Sequence, residues 1–277
     1  MKELHLKPIG DVCGRMLAVA GGYNMAIDQC RKYVIYWDKE KNMNSDLKRF
    51  FTFSDVEMIY RDKYSFPAKW FAALDYRPSR AQKQSDFRFY QKHFEELLET
   101  YSLEQVYQGF DFLMATPSIY IETSTRFYSL SNYVLKKIFQ PHDLLIHEAN
   151  KVKEILGEEY VSLHITRKTY KTFDFRPLED VMHQYLEDHV GSDIKIFFTT
   201  DYPDSYARFK ERYGERIFAF ENNKNGSSEK GVQNVLVDAF AMSQSKHIFI
   251  GVPTTMSEFA SIYGNKPLSL VSPIYGD

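Results

Sequence analysis

From about residue 142 onward the chain alternates between amphipathic segments and short apolar ones, and no other feature restricts its fold as strongly. PHDLLIHEANKVKEIL, PLEDVMHQYLEDHV, PDSYARFKERYG, EKGVQNVLVDAFAMSQSK and TTMSEFASIYG carry apolar residues at helical spacing. EEYVSLHIT, DIKIFFTTD, RIFAFE, HIFIG and PLSLV separate them and read as strands. Parallel strands need a long crossover and are covered on both faces, so this alternation predicts a parallel, doubly wound sheet. Ligands of such sheets bind outside the carboxyl ends of the strands, where loops meet helix N-termini.

The N-terminal half begins in the same way. LHLKPIG reads as a strand, DVCGRMLAVAGGYNMAIDQC as a turn and helix, and KYVIYW as the next strand, which makes one βαβ unit. A charged, aromatic stretch follows over residues 38 to 93, then helical patterns at KHFEELLETYSLEQVYQGF and SNYVLKKIFQ. A boundary near Gln140-Pro141-His142 divides the chain into 1–141 and 142–277.

Composition removes several classes of function. Thirty-five basic and 37 acidic side chains leave a net charge of −2, so no chain-wide field draws the protein to nucleic acid or an anionic membrane. Any anion site is local. No window is long and uncharged enough for a membrane span, and the start, MKELHLKPIGD, has no apolar core of a signal peptide. Cys13 and Cys30, both in apolar helix-like surroundings, suit reduced thiols in the cytoplasm. Twenty Tyr and 22 Phe, with Trp, reach 16% of the chain, and bulky core filler explains them more simply than a sugar-binding surface does.

Three strand ends carry the polar residues. The first is His164-Ile165-Thr166-Arg167-Lys168, the second Thr199-Thr200-Asp201, and the third runs from Gly251 through Thr254 and Thr255 to Ser257. In a doubly wound sheet these loops share one edge. His164 is either buried with its polar atoms satisfied or aimed at a ligand. Arg167 and Lys168 are either solvated or opposed to an anion, for which a guanidinium fork is well shaped. Thr254 caps its own helix or, with the free N–H groups there, cradles a phosphate. Asp238, on a helix with Leu236, Phe240 and Met242, requires a partner if it is buried: the N–H edge of a guanine, or a loop. Asp201 either joins that site or starts the helix before Pro203. Arg77, Arg80, Lys83 and Arg88 form an acceptor patch or a solvated face.

The sequence contains no GxxxxGK[ST], GxGxxG or GxSxG motif and no His/Cys/carboxylate set with metal-ligand spacing. Kinases, P-loop NTPases, simple dehydrogenases and zinc hydrolases are disfavoured.

Four segments together resemble the α-1,2, α-1,6 and protein O-fucosyltransferase superfamily. IGDVCGRMLAVAGGYNMAIDQCRKYVIYW is similar to its opening GGxGNRL motif, with Gly10, Arg15 and Leu17 near their places, and VSLHITRK is similar to its HxRR strand. IFFTTD resembles its strand ending in (T/S)D, and VLVDAFAMSQSKHIFIGVPTTMSEFASIYG the D…LS…SSxS…A element that closes the donor site. IYIETSTRFYSLSNYVLKKIF is similar to the aromatic stretch ahead of the second domain in the α-1,2 group.

The resemblance implies a GT-B-like α/β enzyme with two Rossmann-type domains, the C-terminal one the more regular and the holder of GDP-fucose. It implies an inverting, metal-independent transfer to a glycan acceptor in the cleft. His164 takes the histidine place and Arg167 that of the second arginine, on the nucleotide and its diphosphate. Asp174 stands where the α-1,6 enzymes have an acidic residue and is either the candidate base or a solvated loop aspartate. Thr166 replaces the first arginine, Gly14 stands in place of an asparagine, and Thr254-Thr255-Met256-Ser257 in place of SSxS. Either Arg167 or Arg15 from the facing domain restores the missing charge. Two further functions fit the same scaffold: a transferase for another nucleotide sugar, and a nucleotide- or glycan-binding protein with weakened catalysis.

Overall fold

The computed structural model describes residues 1–40, 43–53, 56–62, 77–166, 176–220, 224 and 226–271. They form two compact units, Met1–His142 with Asn225–Gln233, and Asp143–Lys224 with Asn234–Asp277. The chain thus returns to the first unit for one short segment.

The first unit starts with β1 (Glu3–Pro8), whose Leu4 and Leu6 are buried. The turn after it needs the left-handed backbone of Gly10 (φ +82°), where a Cβ would lie 2.8 Å from that of Ser124. Asp11 then caps α1 (Val12–Asp28) by accepting the Gly14 N–H at 2.8 Å. The helix is buried along most of its length, and β2 (Lys32–Lys39) returns parallel to β1. There follow β3 (Phe51–Phe53), β4 (Glu57–Asp62), α2 (Arg77–Gln84), β5 (Phe87–Tyr90), α3 (Gln91–Leu98) and α4 (Leu103–Gly109). β6 (Ser118–Thr123), α5 (Asn132–Ile138) and β7 (Phe139–Pro141) complete it. The sheet order is β4-β2-β1-β6-β5 with every neighbouring pair parallel, while β3 and β7 pair antiparallel on their own.

Two helical expectations are corrected here. The pattern KHFEELLETYSLEQVYQGF is two helices, because Ser102 and Gln105 form a capping box that starts α4: Ser102 accepts the Gln105 N–H at 3.3 Å, and the Gln105 side chain accepts the Ser102 N–H at 2.9 Å. SNYVLKKIFQ stops being helical at Ile138, since the residue before Pro141 is driven to an extended conformation and the segment pairs with β3. Cys30 is also not in a helix-like, apolar setting. It is exposed just past α1 with φ 51°.

The second unit follows the predicted alternation: α6 (Asp143–Leu156), β8 (Tyr160–Ile165), α7 (Arg176–His189), β9 (Lys195–Thr200), α8 (Pro203–Tyr213) and β10 (Ile217–Phe218). It ends with α9 (Glu229–Gln244), whose first turn belongs to the first unit, then β11 (Ile248–Ile250), α10 (Thr255–Gly264) and β12 (Leu268–Leu270). All neighbours in its sheet, β10-β9-β8-β11-β12, are parallel. Successive strands are laid down outward from β8 to β10, and the chain then crosses to start β11 on the other side of β8. This is a doubly wound sheet whose strand order reverses between β8 and β11.

The two faces of β8 differ. Val161, Leu163 and Ile165 share one core cluster with Leu178, Met182 and Leu186 of α7 and with Phe209 and Tyr213 of α8. Each such side chain contributes about 1.5–3 kcal/mol by leaving water. On the opposite parity, Tyr160 donates to the Ala241 carbonyl of α9 at 2.6 Å, which ties the other face to that helix. The aromatic excess goes largely into cores: Trp37, Tyr120, Phe127, Phe197 and Phe198 are among the largest fully buried side chains. No helix among the described residues is long and apolar enough to cross a membrane.

Candidate functional site

The switch point between β8 and β11 gathers the residues that the strand ends supply. His164 pairs in register with Thr199 of β9 and with Ile250 of β11, and the Gly251 N–H donates to the His164 carbonyl at 3.1 Å. The three carboxyl ends therefore lie side by side. A Cβ at Gly251 would sit 2.8 Å from a methyl carbon of Leu178, so a side chain there would have to displace that leucine.

His164 is only 4% exposed, and its Nδ1 lies 2.6 Å from the Thr199 hydroxyl, which also reaches the Met242 sulfur at 3.7 Å. The ring is thus held in one orientation from its Nδ1 side. Two residues on, the buried Thr166 donates to the Asp201 carboxylate at 3.0 Å. Asp201 is not the helix starter. Tyr202 is the N-cap of α8, makes no side-chain capping bond and is followed by Pro203, while the Asp201 carboxylate accepts from β8's end.

Thr254 caps α10 in a capping box: its Oγ1 accepts the Ser257 N–H at 3.1 Å, and the buried Ser257 hydroxyl accepts the Thr254 N–H at 3.1 Å. Two hydroxyls that could have faced a ligand are thus engaged in holding their own helix. Thr255, at the first helical position, is partly exposed beside them.

Asp238 is fully buried on α9, one turn before Met242. Burial pushes its carboxyl up from the usual carboxylate range, and the Lys224 ammonium, 2.5 Å from Oδ2, pulls it back. Lys224 also donates to the Thr200 carbonyl at 3.3 Å, so it links Asp238 to the carboxyl end of β9. Asp238 Oδ1 has no hydrogen-bond partner among the described residues. Sequence reasoning missed Lys224, which sits in a polar ENNKNGSS loop with no spacing that ties it to α9.

Arg15, expected to supply charge to the diphosphate, lies in the interior of the first unit. It is 1% exposed, and its guanidinium donates to the Gly10 carbonyl at 2.9 Å, the Asp38 carbonyl at 2.6 Å and the Glu40 carboxylate at 3.4 Å. Its fork joins the turn after β1 to the end of β2. Burial lowers its pKa, against the pull of Glu40, Asp38 and Asp11. Gly14 is buried too, and its N–H belongs to the Asp11 cap. Arg80, Lys83 and Arg88 are exposed, Arg80 bonding Gln84 and Arg88 the Lys83 carbonyl. Arg167, Lys168 and Asp174 lie outside the described residues. Among those described, no cluster of His, Cys, Asp and Glu could hold a metal ion.

No family model and no curated protein matches the sequence. Solved structures do. The chain is similar to NodZ, an α-1,6-fucosyltransferase soaked with GDP-fucose, with a TM-score of 0.60 at 11% identity over 95% of this chain and 93% of that one. A NodZ structure from Bradyrhizobium matches at a TM-score of 0.57 and 12% identity, over 94% and 93%. FUT1 of Arabidopsis thaliana in complex with GDP matches at 0.57 and 12%, over 96% of this chain and 69% of that one. POFUT1 in complex with GDP-fucose matches at 0.54 and 10%, over 98% of both. The likeness is one of fold: the chain has the GT-B-like α/β architecture of these fucosyltransferases.

Proposed function

We propose that this chain is a glycosyltransferase that takes a sugar from a nucleotide donor, GDP-fucose, and passes it with inversion to a glycan acceptor, without a metal, in the cytoplasm. The observation that carries the reading is the switch point between β8 and β11, where a pinned His164 and the N-terminus of α10 lie at adjacent strand ends. The fold likeness to enzymes solved with GDP and GDP-fucose supports it.

In this reading the diphosphate lies at the N-terminus of α10, with Thr255 beside it, and His164 contacts the nucleotide. Asp238 accepts N–H bonds from the guanine edge in place of Lys224. The acceptor oxygen attacks the sugar's anomeric carbon, the bond to the diphosphate breaks with its electron pair leaving on GDP, and Asp174 takes the hydroxyl proton. Arg167 neutralises the charge that grows on the leaving group, a role whose loss costs roughly 10²–10³ in rate.

The Thr166–Asp201 bond favours a second reading, because it places a neutral hydroxyl and a carboxylate where a transferase would place a cation. That reading is a nucleotide- or glycan-binding protein with weakened catalysis. Calorimetry with GDP, GDP-fucose and UDP-sugars, followed by acceptor-dependent GDP release with and without EDTA, tests both. Binding of GDP-fucose and EDTA-insensitive release support the transferase. GDP-fucose that binds but is neither hydrolysed nor transferred selects the second reading, and preference for UDP-sugars overturns the donor assignment.

A further inference from the structure

Lys224 joins a fully buried carboxylate to a strand end of the switch point. Its ammonium lies 2.5 Å from Asp238 Oδ2 and donates to the Thr200 carbonyl at 3.3 Å, and its side chain is 14% exposed where that of Asp238 is 0%. The pair is incomplete. A carboxylate accepts through both oxygens, yet Asp238 Oδ1 has no hydrogen-bond partner among the described residues, and a buried acceptor left unsatisfied is costly. One ammonium serves one oxygen. A guanine edge, with N–H donors at N1 and N2, serves both, so exchanging Lys224 for the base completes the carboxylate's bonding.

The second observation is a deficit of positive charge at the neighbouring strand ends. Thr166, at the end of β8, is a neutral hydroxyl bonded to the Asp201 carboxylate at 3.0 Å. Arg15 is engaged inside the first unit by the Gly10 and Asp38 carbonyls and by Glu40. A diphosphate arriving beside Asp201 and Asp238 meets like charge unless a cation comes to it. Lys224 already bonds the carbonyl of Thr200, the residue before Asp201.

We propose that Lys224 is a diphosphate-binding residue of the donor site: the guanine edge takes Asp238, and the displaced ammonium turns to the diphosphate. The proposal rests on the donor reading above. A lysine stem is flexible and its ammonium is a point charge with three rotatable donors, which bonds phosphate oxygens without a fixed geometry. The exchange couples recognition of the base to neutralisation of the phosphates, because the ammonium is released when the base is seated.

Equilibrium binding of guanosine and of GDP to the full chain tests this, read as the ratio of the two affinities, which isolates the phosphates from the base. Lys224→Gln should lower that ratio by about tenfold or more, while Lys224→Arg, which keeps the cation, should hold it within about threefold. The double variant Lys224→Gln/Asp238→Asn removes both charges of the buried pair and should lower the ratio by the same factor. It keeps the test decisive if the single variant does not fold. A ratio unchanged in Lys224→Gln or in the double variant, or as low in Lys224→Arg as in Lys224→Gln, overturns the proposal and confines Lys224 to its pair with Asp238. Wild-type protein that binds GDP no tighter than guanosine overturns the donor reading itself, and the proposal with it.

Discussion

Thr166 donates its hydroxyl proton to Asp201 at 3.0 Å, one step beyond the paired residues Ile165 and Thr200. The bond closes the ends of β8 and β9 at the position where the sequence resemblance leads one to expect an arginine. Thr166→Val should lower stability by about 1 kcal/mol, read as a urea midpoint. Thr166→Arg should raise GDP affinity by about tenfold at low salt, because it brings a fork-shaped cation to the proposed diphosphate site. Unchanged GDP affinity in that variant would count against a diphosphate lying there.

The Asp238–Lys224 pair gives a prediction about coupling. Removing one partner from a buried pair leaves the other charge uncompensated, so Asp238→Asn or Lys224→Met alone should cost roughly 3–5 kcal/mol. The double variant should cost less than the sum. Additive losses in a double-mutant cycle would show that the two charges do not depend on each other.

Arg15 should prove structural. Lysine keeps the charge but loses the fork that serves Gly10, Asp38 and Glu40 together, so Arg15→Lys should destabilise the protein by about 2–3 kcal/mol. GDP affinity per folded molecule should stay the same. A variant of normal stability with weakened donor binding would return Arg15 to the site.

His183 gives the protein an acid-sensitive joint. Its ring stacks on Phe209 at 4.1 Å, with Nδ1 3.1 Å from the Tyr213 hydroxyl. Burial lowers its pKa below the ordinary 6.5 and Arg212 adds to this, against Glu179, Asp180 and Glu187. Between the lowered value and 6.5 the unfolded chain binds a proton that the folded one does not. His183 therefore costs nothing above 6.5, and stability falls as pH drops below it. Burial lowers His247 in the same direction, so the comparison must isolate one group. Tm measured from pH 7.5 to 5.5 should fall less in His183→Phe than in the wild type. Parallel slopes would refute the assignment.

What could be read in advance follows from how each sheet is covered. β8, β9 and β11 are buried on both faces and appear as apolar runs, so the second unit was legible nearly element by element. RIFAFE shrank to Ile217–Phe218, a two-residue edge strand. In the first unit, β4, β5 and β6 mix charge with aromatics, as in EMIYRD, FRFY and SIYIET, and such runs have no clear period. Within the site, the strand ends and the Thr254 cap were visible as motifs. The Lys224–Asp238 pair was not, because a salt bridge between a loop and a helix interior leaves no spacing in the sequence.

The return of Asn225–Gln233 to the first unit bears on how this protein could be divided by gene engineering. A fragment beginning at Asp143 would take Gly226 and Glu229 away from Asn44 and Arg49, which bond them at 2.9 Å and 2.7 Å. A fragment ending at His142 would lack the same nine residues. No single cut separates the two units cleanly, so a chimera that exchanges one of them needs three junctions, after residues 142, 224 and 233.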